Sequence, residues 1–172
     1  MKPRSFTLRV VLLLAACVAA AGMTRSQERS LTTEQLAAGA DLVVVGKVTG
    51  QRSFWTPDRK RIVTNIAITV DEQLKGTPQG STVTVVVPGG EVDGVGEWYS
   101  HTARFMRNEE VVVFARRDKE GALRVAGGSQ GKLTVTRDPE RGSARVAGSR
   151  SLEELRAEVR KAAGIQQAPT DR

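Results

Sequence analysis

The sequence is poor in the residues that most often carry covalent or catalytic chemistry. Its 172 residues include one cysteine, Cys17, one histidine, His101, and only 4% aromatic residues. A single cysteine excludes an intrachain disulfide, so the folded domain has to be stabilised by its hydrophobic core. A lone histidine, without a phosphate-binding loop or a His-Glu-x-x-His helix, argues against an enzyme, and the sequence implies no cofactor.

The chain also lacks an apolar run long enough to span a membrane. Val10–Val18 is apolar, but Thr24 and Arg25 interrupt the hydrophobic stretch before the roughly 20 residues that a spanning helix needs. Three basic residues precede the run and three small residues follow it: Lys2, Arg4, Arg9 and Ala19–Ala21. This order is typical of a cleaved signal peptide. We therefore expect a signal peptide at residues 1–21, a flexible lead-in at 22–30, and a mature protein that is periplasmic or extracellular.

Cys17 has two interpretations. The segment Leu14–Cys17 resembles a bacterial lipobox, in which the cysteine becomes the lipidated first residue and anchors the protein to a membrane. Alternatively, Cys17 lies inside a signal peptide that is discarded, because Val18–Ala21 continues the apolar core beyond it. Both interpretations leave the folded domain without thiol chemistry.

The positive charge of the chain is modest once the signal is removed. Residues 1–21 hold three basic and no acidic side chains, so their loss lowers the net charge from +7 to +4. The remaining basic residues are scattered, with short adjacent groups such as Arg59–Arg61 and Arg116–Arg117. This pattern indicates a solvated surface and argues against a nucleic-acid partner.

Short apolar runs separated by turns predict a mainly β domain. The clearest is Ile62–Asp71, in which apolar residues alternate with polar or smaller ones, as in a half-buried strand. Further strands are expected at Leu42–Thr49, Ser81–Val87 and Val111–Arg116, and a hairpin is expected to join Ala122–Ala126 to Lys132–Thr136. A glycine inside the first of these strands, Gly46, predicts a bulge.

Helices are predicted at both ends of the domain. Thr32 with Gln35, and Ser151 with Glu154, fit capping boxes. The second helix should bury one face, formed by Leu152, Leu155, Val159 and Ala162. The resulting fold class is mainly β (α+β), with an antiparallel barrel of about five to seven strands in one domain at residues 31–164. Residues 165–172 are expected to form a disordered tail.

Three motifs occur in an order that resembles a known family. Ala40–Val48 is followed by Leu74-Lys75-Gly76 and by Glu109–Phe114. This arrangement resembles the TIMP/netrin-like modules, which are OB-fold barrels, and residues 38–136 are similar to uncharacterised exported bacterial proteins of that type. The resemblance implies an OB-like barrel. It does not imply metalloprotease inhibition, which in the animal family depends on a disulfide-anchored N-terminal cysteine.

Most aromatic residues of the mature chain fall in two segments that we expect to be loops, Gly50–Arg61 and Pro88–Glu110. OB barrels bind ligands through loops, and tryptophan and tyrosine are enriched at binding hot spots. We therefore predict that these loops bind a protein or a cell-envelope component. The candidate binding residues are Trp55, Glu91, Asp93, Trp98, Tyr99 and His101. The alternative is that each indole covers an open end of the barrel and contributes only burial.

Other functions remain as alternatives. Glu91, Asp93 and Glu97 bring three carboxylates to a glycine-rich segment, but Ca²⁺ needs about 6–8 oxygen ligands and the EF-hand spacing is absent, so no metal site is predicted. His101 is expected to be a solvated or capping residue. A structural envelope lipoprotein anchored through Cys17, a nucleic-acid-binding OB domain and a small hydrolase are the alternatives to a binding domain.

Overall fold

The computed structural model describes residues 30–140, 142–146 and 150–164. The predicted signal peptide with Cys17, the lead-in up to residue 29 and the predicted tail lie outside the described residues. Two helices are described, α1 at Thr33–Ala38 and α2 at Leu152–Ala162, together with a 3₁₀ turn at Gly128–Gly131. Neither helix in this part of the chain is long and apolar enough to cross a membrane.

The described strands are β1 (Leu42–Trp55), β2 (Ile62–Lys75), β3 (Thr82–Pro88), β4 (Gly90–Val92), β5 (Val95–Glu97), β6 (Glu110–Arg117), β7 (Leu123–Val125), β8 (Lys132–Arg137), β9 (Ala144–Val146) and β10 (Arg150–Ser151).

Five strands form a closed ring in the order β1-β2-β3-β7-β6, and β6 pairs back with β1. Every pairing in the ring is antiparallel except that of β3 with β7, which is parallel. β8, β9 and β10 extend the sheet from β6, while β4 and β5 form a separate hairpin. The expected mainly β, OB-like fold is confirmed. The expectation of an antiparallel barrel is wrong at one pairing, because β3 and β7 run parallel.

Two hydrophobic cores lie on opposite faces of β1 and β6. One core fills the ring and includes Val44 and Val113, while the other lies between the outer face of the ring and the two helices and includes Val43 and Phe114. Because β1 and β6 are buried on both faces, their sequences are nearly continuous apolar runs without strict alternation. Ile66 and Ile68 of β2 face the ring interior, as the alternating pattern predicts.

Both predicted capping boxes are present. The side chain of Thr32 accepts from the N–H of Gln35, and that of Ser151 accepts from the N–H of Glu154, with the reciprocal bonds also formed. Helix α2 buries Leu152, Leu155 and Val159 as predicted, whereas Ala162 in its last turn is exposed. Glu72 of β2 holds this helix by accepting hydrogen bonds from Arg156 (2.8 Å) and Arg160 (3.0 Å).

The motif residues around Asp41 and Gly76 form one structural junction. The ammonium of Lys75 donates to the carbonyl oxygens of Ala37 and Ala40, each at 2.7 Å, and so caps the chain where it leaves α1. Gly76 has a φ of +72°, and a Cβ there would lie 2.1 Å from the carbonyl oxygen of Asp41. These motif residues therefore fix the helix to the start of β1. Their structural contacts are enough to explain why these residues occur at these positions.

Two predicted connections differ from the structure. β1 continues to Trp55 instead of ending at Thr49, so the first half of the expected loop Gly50–Arg61 is strand paired with β2. The expected hairpin of Ala122–Ala126 with Lys132–Thr136 is wrong, because β7 and β8 do not pair with each other. They pair one after the other with the same edge of β6, the edge opposite β1. Local turn signals predict a hairpin there, but the long-range pairing with a strand buried on both faces prevails. The register shift at Gly46 confirms the predicted bulge.

Candidate functional site

A cleft lies where the chain after β3 folds back over the β1–β2 pair. Its volume is about 340 Å³, within the roughly 300–1,000 Å³ range of ligand pockets. The β1–β2 pair contributes Gln51, Ser53, Thr64 and Ile66, and the rest of the lining comes from residues 87–91, 98–99 and 102–106. We call this site the Trp98 cleft. It is the place where most of the predicted loop Pro88–Glu110 meets the sheet.

The Pro-Gly-Gly segment anchors one wall of the cleft. The buried Thr64 hydroxyl donates to the carbonyl oxygen of Gly89 at 2.7 Å and lies 2.9 Å from the hydroxyl of Ser53. Gly90 has a φ of +136°, and a Cβ there would lie 2.4 Å from both hydroxyl oxygens. The segment therefore packs directly against β1 and β2, which leaves no room for a side chain.

The predicted irregular loop contains a short hairpin. β4 and β5 are joined by Asp93 and Gly94, which have φ values of +51° and +78°. Positive φ at both central residues is the geometry of a type I′ turn, for which Asp-Gly is strongly preferred. Asp93 is thus a turn residue outside the cleft lining, whereas Glu91 of β4 lines the cleft with an exposed side chain. The Asp-Gly pair was the sequence signal for this hairpin.

Hydrogen bonds of Tyr99 connect the cleft to the end of the β1–β2 pair. Its hydroxyl donates to the carboxylate of Glu97 and accepts from the guanidinium of Arg61 at 2.9 Å, and Glu97 also accepts from the N–H of Ile62. The Ile62 N–H, followed by the Tyr99 hydroxyl, lowers the pKa of Glu97 below its ordinary value. The hydrogen bond to Glu97 raises the pKa of Tyr99. Tyr99 therefore offers its ring to the cleft while its hydroxyl is engaged.

Trp98 points outward, with 70% of its surface exposed. Its indole lies against Gly96, where a Cβ would come within 3.1 Å of Nε1, and the guanidinium carbon of Arg104 lies 5.8 Å from the ring centroid. The alternative that Trp98 closes the barrel end is therefore wrong. Trp55 is half-buried at the end of β1 and does not contribute to the cleft lining.

His101 lies on the far side of residues 102–103, in a second cleft of about 290 Å³. Its carbonyl oxygen accepts from the N–H of Ser129 at 2.7 Å. Ser129 belongs to Gly127–Gly131, which has the Gly-x-Ser-x-Gly pattern of a hydrolase nucleophile elbow. A nucleophile elbow is a strand-to-helix turn, whereas this segment is a 3₁₀ turn between two strands. Close packing explains the two glycines of the pattern, since a Cβ at Gly127 would lie 2.7 Å from Cδ2 of Leu36 and one at Gly131 would lie 1.8 Å from the Ala126 carbonyl oxygen.

A buried ion pair fixes the C-terminal end of the cleft wall. The side chains of Glu109 and Lys132 are only 6% and 12% exposed and form a salt bridge, and Glu109 also accepts from the N–H of Met106 at 3.0 Å and from the Thr134 hydroxyl at 2.5 Å. Burial alone would raise the pKa of Glu109, but the hydrogen bonds from Lys132 and Thr134 outweigh it and hold the pKa below its ordinary value. No pattern in the sequence indicated this pair, because the two residues are distant in sequence.

The structure brings together Glu91, Trp98 and Tyr99 of the predicted site and adds Gln51, Arg104 and Met106. In the described ranges no group of three histidine, cysteine, aspartate or glutamate side chains is placed to hold a metal ion. No protein-family profile matches the chain, and no curated protein is significantly similar to it. Function therefore has to be inferred from the geometry of the cleft.

Proposed function

We propose that this chain is a non-catalytic, exported bacterial binding domain that recognises a protein or a cell-envelope component through the Trp98 cleft. The observation that carries the proposal is the exposed indole of Trp98, which stands beside Arg104 at the mouth of a cleft lined by further apolar side chains. Tryptophan, tyrosine and arginine are the residues most enriched at binding hot spots. Holding a large apolar surface in water is unfavourable unless a partner covers it.

The cleft is supported by contacts that preorganise it. Thr64 fixes the Gly89 carbonyl, Tyr99 connects Glu97 to Arg61, and Gln51 donates to the carbonyl oxygen of Phe105 at 2.8 Å. A wall that is already ordered loses less conformational entropy on binding, so more of the contact energy appears as affinity. This arrangement favours recognition over a purely structural role for the segment.

The sequence supports the location and type of the domain in this proposal. Residues 1–21 have the order of a signal peptide, which favours export to the periplasm or beyond. The motifs from Ala40–Val48 to Glu109–Phe114 favour a barrel of the TIMP/netrin type. Barrels of the OB class bind ligands through loops and a strand face, and the Trp98 cleft combines these two elements.

A pull-down from the envelope extract of the source bacterium tests the proposal. Trp98→Ala should reduce the recovery of the bound partner about tenfold or more, because loss of a hot-spot tryptophan costs about 2 kcal/mol or more. Phe54→Ala is the matched control: Phe54 is also an exposed aromatic residue but does not line the cleft, so its partner recovery should equal that of the wild type. Identical partner lists for wild type and a correctly folded Trp98→Ala variant would contradict the proposal.

A further inference from the structure

We infer that the occupant of the Trp98 cleft is an extended peptide segment of a partner protein, which pairs with the backbone of residues 102–105. The peptide places an apolar side chain on Trp98 and a neighbouring carboxylate at Arg104. This inference rests on the proposed function and specifies the chemistry of its partner. Three features support it: the unpaired backbone of residues 102–105, the clefts beside that backbone, and the charged side chains of the cleft lining.

Residues 102–106 have the side-chain pattern of a strand but belong to none. Ala103 and Phe105 are buried, while Arg104 and Met106 are exposed. This alternation is the period-2 pattern of extended chain. Among the described residues the backbone N–H groups of residues 102–105 have no hydrogen-bond acceptor, and their carbonyl oxygens have one donor, the Gln51 amide on Phe105.

Unpaired backbone groups next to a cleft favour a peptide ligand. Backbone N–H groups in proteins bond to protein, water or ligand, so the four N–H groups of this partly buried segment are available to a ligand. Both clefts, of about 340 Å³ and about 290 Å³, are lined by Thr102 and Ala103, which leaves space beside this segment. Addition of an extended peptide to an unpaired edge is a recurrent mode of recognition, in which main-chain hydrogen bonds provide affinity.

The exposed side chains define the anchor that the peptide should carry. Trp98 and Met106 are 70% and 67% exposed and both line the cleft. Aromatic pairs attract each other beyond the effect of burial alone, and methionine adapts its shape to an apolar partner. An aromatic or large aliphatic peptide side chain therefore fits between them.

Charge complementarity adds a carboxylate beside the anchor. Arg104 lies over the Trp98 ring and has no ion-pair partner among the described residues. The other charged side chain of the lining is Glu91, which is exposed on β4. An acidic residue next to the anchor would pair with Arg104, and Glu91 would oppose it weakly. A neutral glycan could stack on Trp98 but would neither form a strand ladder nor neutralise Arg104.

Amide NMR of the ¹⁵N-labelled protein tests the inference with a defined probe, the acetylated and amidated peptide Gly-Ser-Val-Glu-Trp-Glu-Val-Ser-Gly. We expect it to shift the amide signals of residues 102–105 together with the indole signal of Trp98. A matched peptide with both glutamates changed to lysine should bind about threefold to fivefold more weakly, the size of one exposed ion pair. A third peptide, N-methylated at alternate residues, should bind about tenfold more weakly because it cannot donate the ladder hydrogen bonds.

Two variants of the protein test which side chains cause the preference for an acidic peptide. Arg104→Gln should remove the difference between the acidic and basic peptides, while Glu91→Gln should strengthen the binding of the acidic peptide by about twofold. A shift of the Trp98 indole without shifts at residues 102–105 would overturn the strand-pairing mode. The inference would also be overturned if an N-acetylglucosamine–N-acetylmuramic acid disaccharide shifted these signals and none of the peptides did.

The outcomes distinguish this inference from the proposed function on which it rests. If no peptide binds at about 1 mM, equivalent to about −4 kcal/mol, while Trp98→Ala still loses its partner in the pull-down, the peptide mode is wrong and the binding function stands. If the pull-down also shows no difference, both are wrong.

Discussion

Replacing Gly46 with alanine is expected to destabilise the domain by about 3 kcal/mol or more, at the upper end of the cost of overpacking a core. A Cβ at this position would lie 2.2 Å from the carbonyl oxygen of Thr69 and 2.9 Å from Cγ2 of Ile68. Gly46 stands at a register shift between β1 and β2, where the two backbones approach closely. Because the obstacle is backbone in the neighbouring strand, no side-chain rotation can relieve the contact.

Gly50→Ala is the matched control on the same strand. A Cβ at Gly50 would meet only Cβ of Ala67, at 3.7 Å, which is ordinary van der Waals contact. Since glycine inside a strand costs conformational entropy, this variant should be neutral or more stable by up to about 1 kcal/mol. Urea denaturation of both variants measures the difference. Equal stabilities would show that the close approach at Gly46 does not constrain the fold.

Glu109→Gln is the second substitution with a large expected effect. Removing one partner of a fully buried ion pair costs about 3–5 kcal/mol, and we expect about 2–3 kcal/mol for this partly buried pair, because the remaining charge is left largely without compensation. Lys132 would be that charge, and it also lies 5.8 Å from the centroid of Phe105 in the cleft wall. The control is Glu110→Gln, whose partner Arg137 is 56% exposed and whose loss should cost about 1 kcal/mol or less. A cost below that of the control would contradict the structural role of Glu109.

The same ion pair predicts how stability depends on pH. The folded state holds the pKa of Glu109 below its ordinary value of 4.5, so the stabilisation is complete above about that pH. It is lost as the pH falls through the lowered pKa of the folded state, because the protonated carboxyl no longer pairs with Lys132. The stability gap between wild type and Glu109→Gln should therefore narrow in acid. A gap that stays constant down to about pH 2 would contradict the ion pair as its source.

The parts of the fold that follow local rules could be predicted from the sequence. Capping boxes at Thr32 and Ser151, the alternation in β2 and the bulge at Gly46 each depend on a few neighbouring residues. The successive pairing of β7 and β8 with one edge of β6 depends on contacts distant in sequence, and the turn residues between them favour a hairpin that does not form. The extension of β1 to Trp55 was missed because its outer half is polar and half-exposed.

The candidate site could be located in part. The concentration of aromatic residues in Pro88–Glu110 pointed to Trp98 and Tyr99, and both line the cleft. The contributions of Gln51 and Arg104 could not be predicted, because they require knowing which strand the segment folds against. His101 was singled out as the lone histidine, and the structure places it on the opposite side of residues 102–103.

Site-specific photo-crosslinking tests the central claim most directly. A benzoylphenylalanine at Met106, which lines the Trp98 cleft, should form a covalent adduct with the partner in intact cells. The same group at Lys119, which is also solvent-exposed but lies in the turn between β6 and β7, should form none. If the partner binds in the Trp98 cleft, adding Trp98→Ala should abolish the adduct at position 106. An adduct at position 119 alone, or one at position 106 that persists without Trp98, would contradict it.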